Sequence, residues 1–209
     1  MKSRRSFLKK CARSLVGFML LTTSPPWIRG SLKHTTAYRE RSFYTMGSVA
    51  TISAYGESIR ETDRAINRVI GEFQRTDALL SVFNPASCIS KLNAATAREQ
   101  LLVEPDVVQL FVSAREFSEL TNGAFDVTVE PLMRKWGFRN EQKELLRIPS
   151  DRELSDLLSA VGYKNIVIDT KNQLIGLRNP LAAVDLGGIA VGWTIDRAVA
   201  VLRDCGIMA

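Results

Sequence analysis

The sequence predicts a single-domain α+β protein, and three observations carry that prediction. Segments of period-two and helical-period apolar patterning are interspersed along the chain without strict strand-helix-strand alternation. The composition, 45% hydrophobic and 24% charged, is that of an ordinary globular protein. Residues 31–209 are enough chain for one core and carry no internal repeat or low-complexity linker to divide it.

The first predicted element is a strand over residues 46–55, where Val49, Thr51, Ser53 and Tyr55 alternate with Ala50, Ile52 and Ala54 before Gly56. A helix follows over 62–80, with Ile66, Val69, Ile70, Phe73 and Leu80 on one face and Arg64, Asn67, Arg68, Glu72 and Arg75 on the other. Asn84-Pro85 breaks it. A turn of helix near 87–93 and a small strand at 101–103 lead to a second long helix after Pro105, a residue suited to a first helical turn. Its inward residues are Val107, Val108, Leu110, Phe111, Ala114 and Phe117, and it stops at Thr121-Asn122-Gly123. Residues 124–131 are β-rich, with a short buried helix or turn around Leu132, Met133, Trp136 and Phe138. An amphipathic helix over 151–161 directs Leu154, Leu157, Leu158 and Val161 to one side. Residues 165–169 and 173–177 read as paired strands around Thr170-Lys171-Asn172. A further strand is expected to run into Asp185. Gly187-Gly188 ends it, and a last helix over 189–205 carries Ile195, Ala198, Val199 and Leu202 inward.

The formal net charge of +6 suggests a nucleic-acid or membrane-surface protein, but its distribution argues otherwise. Residues 1–30 hold seven of the 28 basic residues and no acidic one, which leaves 21 basic against 22 acidic in the rest, a net of −1. No nucleic-acid partner is therefore expected. The first residues, Ser3-Arg4-Arg5-Ser6-Phe7-Leu8-Lys9, form a basic region with paired arginines. A short apolar stretch from Leu15 to Leu21 and the breakers Ser24-Pro25-Pro26 follow. This resembles a twin-arginine signal peptide over 1–30, which would export the folded protein to the periplasm; the bland alternative is a basic tail. No apolar run approaches the ~18 residues of a transmembrane span. Cys11 precedes the apolar stretch, which argues against a lipoprotein. Cys88 and Cys205 show neither zinc nor redox spacing, and the sequence leaves their pairing open. With His34 as the single histidine, a histidine-based triad or zinc site has no material.

Two segments gather glycines and acids at strand-to-helix junctions: Asn122-Gly123-Ala124-Phe125-Asp126, and Val184-Asp185-Leu186-Gly187-Gly188-Ile189-Ala190-Val191-Gly192. Glycines ahead of a helix expose backbone N–H groups, and the helix N-terminus favours phosphate. The spacing is neither Gly-x-Gly-x-x-Gly nor a P-loop, so a nucleotide cradle and a tight turn capped by aspartate both remain open.

Four blocks together resemble the ApbE family, the FAD:protein FMN transferases. They are Thr45-Met46-Gly47-Ser48; Leu80-Ser81-Val82-Phe83-Asn84 with 87–93; Gly123 to Val129 with Pro131-Leu132 and Trp136-Gly137-Phe138; and Val184 to Ala190 with Gly192 and Asp196-Arg197-Ala198. They stand in the family's order across most of residues 42–205. The resemblance implies an ApbE-like (T-fold-like) mixed sheet with packed helices. It also implies a Mg2+-dependent transfer of FMN from FAD to a Thr or Ser of a partner flavoprotein, with release of AMP. The partner would be a flavoprotein subunit of a respiratory or electron-transfer complex. By motif position, Met46, Phe83, Ala124, Phe125, Asp126, Asp185 and Val191 would face FAD, and the Gly188 carbonyl would face the metal; no catalytic residue is assigned. An FAD pyrophosphatase and a non-catalytic periplasmic flavin-binding protein are the alternatives within the same fold.

Two positions depart from the family pattern. Val191 stands where a lysine is common, and Glu130 where a glycine usually precedes the proline. The chain also stops at Ala209, where the family continues through further strands, so residues 31–209 are expected to correspond to an N-terminal portion of the domain.

Overall fold

The computed structural model describes residues 37–97, 99–139 and 148–207. The twin-arginine leader, Cys11 and His34 lie outside them. Strands β1 (Ala37–Thr45) and β2 (Ser48–Gly56) form an antiparallel hairpin, in register from Ala37 opposite Gly56 to Thr45 opposite Ser48. β2 is the predicted strand, whereas β1 had no readable pattern. Its face toward the neighbouring helix α1 (Ile59–Leu80) carries Arg39 and Arg41, which replace apolar packing with ion pairs to Asp63 at 3.4 Å. Met46 and Gly47 close the hairpin at φ +49° and +75°, both left-handed, as a type I′ turn requires.

Helix α1 begins three residues before the predicted start because Ser58 caps it: its hydroxyl oxygen accepts from the Glu61 N–H, and the hydroxyl donates to the Glu61 carboxylate at 2.7 Å. Its inner face, Ala65, Ile66, Val69 and Phe73, packs with Ala54 of the hairpin and with Ala198 and Leu202 of the last helix, α6 (Gly187–Asp204). Arg197 of α6 donates to Glu72, as does Arg75 at 3.3 Å, and the Arg197 guanidinium lies 4.8 Å from the Trp193 ring centroid. Burial pushes the Glu72 carboxyl up, but the two arginines outweigh it and hold the group below its ordinary value. Ile195, expected inward, is half exposed.

A second, larger core lies between α2 (Cys88–Ala94), α3 (Pro105–Leu120) and a three-stranded sheet. The sheet has the order β3 (Gln100–Leu102), β5 (Leu174–Leu177), β4 (Ile166–Asp169), antiparallel throughout. Both sheets among the described residues are thus antiparallel rather than mixed. Val107, Val108, Leu110, Phe111 and Ala114 are buried as predicted; Phe117 is half exposed and meets Phe125 edge-on at 6.3 Å. The predicted β4–β5 turn is held by Asp169, whose carboxylate accepts from the backbone N–H groups of Lys171 and Asn172 at 3.0 and 2.9 Å. Helix α5 (Asp151–Leu158) has the predicted amphipathic pattern but no buried residue; it packs at the edge, on α4 (Glu130–Lys135), through Lys135 and Glu153. Cys88 and Cys205 are free thiols, and burial pushes that of Cys88 up to about 11.

Two strands expected from the sequence do not form. Residues 124–129 turn instead, because the Asp126 carboxylate accepts from both the backbone N–H and the hydroxyl of Thr128, at 2.8 and 2.6 Å. That local bonding offers the backbone an alternative to a ladder. The segment before Asp185 is extended but unpaired as a strand. Its buried Val184 gives its N–H to Asn93 Oδ1 at 2.7 Å, and its carbonyl accepts from Asn93 Nδ2 at 2.8 Å. The Asp185 N–H then donates to the Val127 carbonyl at 2.8 Å. One side chain therefore does the work of a neighbouring strand. Replacing Asn93 by Leu orphans both groups of Val184, so urea unfolding should show a loss of about 2–6 kcal/mol, from two buried polar groups at ~1–3 kcal/mol each.

Candidate functional site

The pinned segment delivers Asp185 and the start of α6 to one wall of a cleft. The opposite wall is the hairpin turn, and the C-terminal end of α1 with the residues after it forms the floor. Met46, Asp77, Phe83, Arg139, Asp185 and Val191 are among the lining residues, around a volume of about 250 Å³. That is slightly under the ~300–1,000 Å³ usual for small-ligand pockets.

Met46 enters the cleft because of the turn. A left-handed backbone costs a residue with a β-carbon about 1–2 kcal/mol, and Asn is the usual residue at this turn position. Two features hold it there: its N–H donates to Asp77 Oδ2 at 2.9 Å, and its side chain packs against the hairpin core. Phe83, 63% exposed, offers its ring at the mouth. The Thr76 hydroxyl beside them is buried and has no hydrogen-bond partner.

The charges meet at Arg139. Its guanidinium bridges Glu130 and Asp185, with Nε 2.9 and 3.1 Å from the two Glu130 oxygens, and lies 5.2 Å from the Phe83 ring centroid. Arg134 also donates to Glu130 at 2.8 Å. Glu130 is only 1% exposed, and an unpaired carboxylate there would cost several kcal/mol; two guanidiniums satisfy it. Glu130 raises the Arg139 pKa, against the lowering effect of burial, and Asp185 adds to the rise. Glu130 takes a negative φ at the first residue of α4, so the loss of glycine strains nothing there.

The other oxygen of Asp185 accepts the N–H of Gly187, the first residue of α6, at 2.8 Å, while Leu186 at the N-cap supplies no side-chain bond; Gly187, Ala190 and Val191 bring the first turn to the cleft. Gly188 allows a close approach: a β-carbon on it would lie 3.2 Å from Phe125 Cε2, and the ring would have to give by a few tenths of an ångström.

Of the residues expected to face FAD, the structure gathers Met46, Phe83, Asp185 and Val191 into this cleft. Ala124 and Asp126 line a different depression, of about 450 Å³, with Gly162 and Tyr163. There Asp126 Oδ2 accepts the Tyr163 N–H at 2.6 Å, and Thr128 Oγ1 accepts the Gly162 N–H at 2.6 Å, so its visible partners are structural. Phe125 sits against Gly188 and Phe117. As for a metal, the described residues gather no group of three His, Cys, Asp or Glu side chains, and Asp185 is engaged by Arg139. The Gly188 carbonyl alone does not make an octahedral Mg2+ site.

Arg139 and Asp77 were not singled out in the sequence. Arg139 follows Trp136-Gly137-Phe138 without periodic signal. The available clue was Glu130, an acid in a mostly uncharged stretch that needs a cation once buried.

Residues 46–209 match the model of the ApbE family. The FAD:protein FMN transferase of Vibrio cholerae is 31% identical over 61% of this chain and 37% of its own length. That of Escherichia coli K12 is 23% identical over 83% of this chain and 50% of its own. The crystal structure of the ApbE protein of Thermotoga maritima superposes with a TM-score of 0.75 at 31% identity, over 81% of this chain and 53% of that one. The flavin transferase ApbE of Vibrio cholerae superposes at 0.74 and 26%, over 82% and 55%. The chain thus spans half or less of these two curated relatives, and slightly over half of these two structures. With the family model covering nearly all of the described residues and the fold shared, the chain belongs to the ApbE family.

Proposed function

We propose that this chain binds FAD in the cleft before α6 and serves the transfer of its FMN half to a Thr or Ser hydroxyl of an exported flavoprotein subunit. The curated relatives carry the name FAD:protein FMN transferase. The observation that carries the reading here is the convergence of an apolar pair, Met46 and Phe83, with Asp185 and the first turn of α6. A flat apolar ring system suits the first pair. A diphosphate suits the helix start, where backbone N–H groups and the macrodipole favour anions.

In the transfer, the acceptor hydroxyl oxygen bonds to the FMN-side phosphorus, and the phosphorus–oxygen bond to AMP breaks. AMP leaves with the bridging oxygen, and the hydroxyl proton passes to solvent or a base. This chain's part is to orient the dinucleotide and to exclude water from its apolar half. Mg2+ belongs to the proposal as the ion that would neutralise the diphosphate; the described residues do not fit it by themselves. Periplasmic placement, through a twin-arginine leader, also belongs to the proposal, and it matches an acceptor in a respiratory or electron-transfer complex.

Incubation of the full chain with FAD, Mg2+ and such a flavoprotein subunit should give a covalently fluorescent acceptor and one AMP per label. Free FMN plus AMP would make the protein a pyrophosphatase, and bound but unchanged FAD a carrier. Replacing Met46 by Asn exchanges apolar burial for a residue at ease in the left-handed region. Thermal unfolding should place its stability within about 1 kcal/mol of the parent's, while FAD affinity measured by calorimetry falls several-fold. Unchanged affinity would remove Met46 from the flavin site.

A further inference from the structure

Three charged side chains line the cleft, and they are unequal. Asp77 is committed to the Met46 N–H, and Asp185 and Arg139 are bonded to each other. Val191 contributes no charge. An anionic ligand entering this space meets two carboxylates and one guanidinium, so without Arg139 the local field would oppose it. Arg139 is also held in an unusual way. Glu130, nearly solvent-free, fixes it from behind, while Asp185, 18% exposed at its side chain, meets it from the cleft side.

We propose that Arg139 is the anion-binding cation of the cleft, with Glu130 as its fixed anchor and Asp185 as the anion it holds until a diphosphate takes that place. The inference rests on the flavin reading only for the identity of the ligand. The exchange balances charge: a guanidinium fork matches phosphate oxygens as it matches a carboxylate. Asp185, once released, is free to accept from a donor on the ligand, and its other oxygen stays on the Gly187 N–H. Glu130 keeps Arg134 and Arg139 throughout, so no buried carboxylate is stranded. The Phe83 ring, its centroid 5.2 Å from the guanidinium carbon, gives the cation a second, non-ionic support. Among the described residues, Glu130 without Arg139 would keep only Arg134 as an ion-pair partner, and Arg139 without Glu130 would keep only Asp185.

The test is calorimetric titration of the full chain with FAD, ADP, inorganic pyrophosphate and riboflavin, each without metal. In Arg139→Met, the dissociation constants for FAD, ADP and pyrophosphate should rise about tenfold or more, the loss of one charge-assisted contact. Riboflavin, which has no phosphate, should change less than about twofold, and Arg139→Lys, which keeps the charge without the fork, should recover only part of the loss. If Arg139→Met does not fold, Glu130→Gln/Arg139→Met removes the buried charge with its partner and carries the same comparison. Equal or tighter binding of the phosphate ligands by the Met variant would make Arg139 a plug and overturn the proposal. Parallel loss of riboflavin and FAD would make it a structural clamp, with the same consequence, as would failure of the parent to bind pyrophosphate or ADP. Arg139-dependent binding of ADP and pyrophosphate without FAD would sink the flavin reading and leave this inference standing.

Discussion

The geometry of the site depends on how an unpaired stretch of backbone is held in the interior. Residues 182–186 run through the core without pairing as a strand. The amide of Asn93 satisfies both polar groups of Val184, and Val127 takes the next N–H. Buried backbone groups are costly to leave unmade, so the side-chain amide fixes this crossing in one register. That register decides where Asp185 points and where α6 starts. The rest of the cleft is built around it.

The second constraint is electrostatic. A carboxylate as buried as Glu130 persists only with a cation, and two arginines supply it. Once Arg139 is recruited for that purpose, its guanidinium also reaches the cleft and Asp185. The demand of a buried charge and the charge balance of the ligand cleft are therefore one problem with one solution. Glu130 enters the interior and brings a cation with it, while Val191 of α6 adds an apolar side chain to the cleft.

Much of the framework was legible in the sequence because it is local. Helical periodicity placed α1, α3 and α6 within a few residues, Gly123 marked a helix end, and the Asp169 turn was visible between its strands. What was not legible involves partners distant in sequence. β1 is a strand whose inner face is salted with Arg39 and Arg41, readable only once Asp63 of α1 is beside it. The strand expected before Asp185 is replaced by a side chain 91 residues away. In the site, Met46, Phe83, Asp185 and Val191 meet as their motifs suggested, whereas Ala124 and Asp126 face another depression and Arg139 gave no signal of its own. Position along a motif identified the participants; only packing shows which of them share a space.

The central claim is that the space between the hairpin turn and the start of α6 receives the dinucleotide. A crystal of the full chain soaked with FAD tests it most directly. The account predicts the diphosphate against Arg139 and the first amides of α6, the ring system between Met46 and Phe83, and Asp185 released from the guanidinium. FAD held elsewhere on the molecule, with Arg139 still bridging Glu130 and Asp185 across an empty cleft, would contradict it.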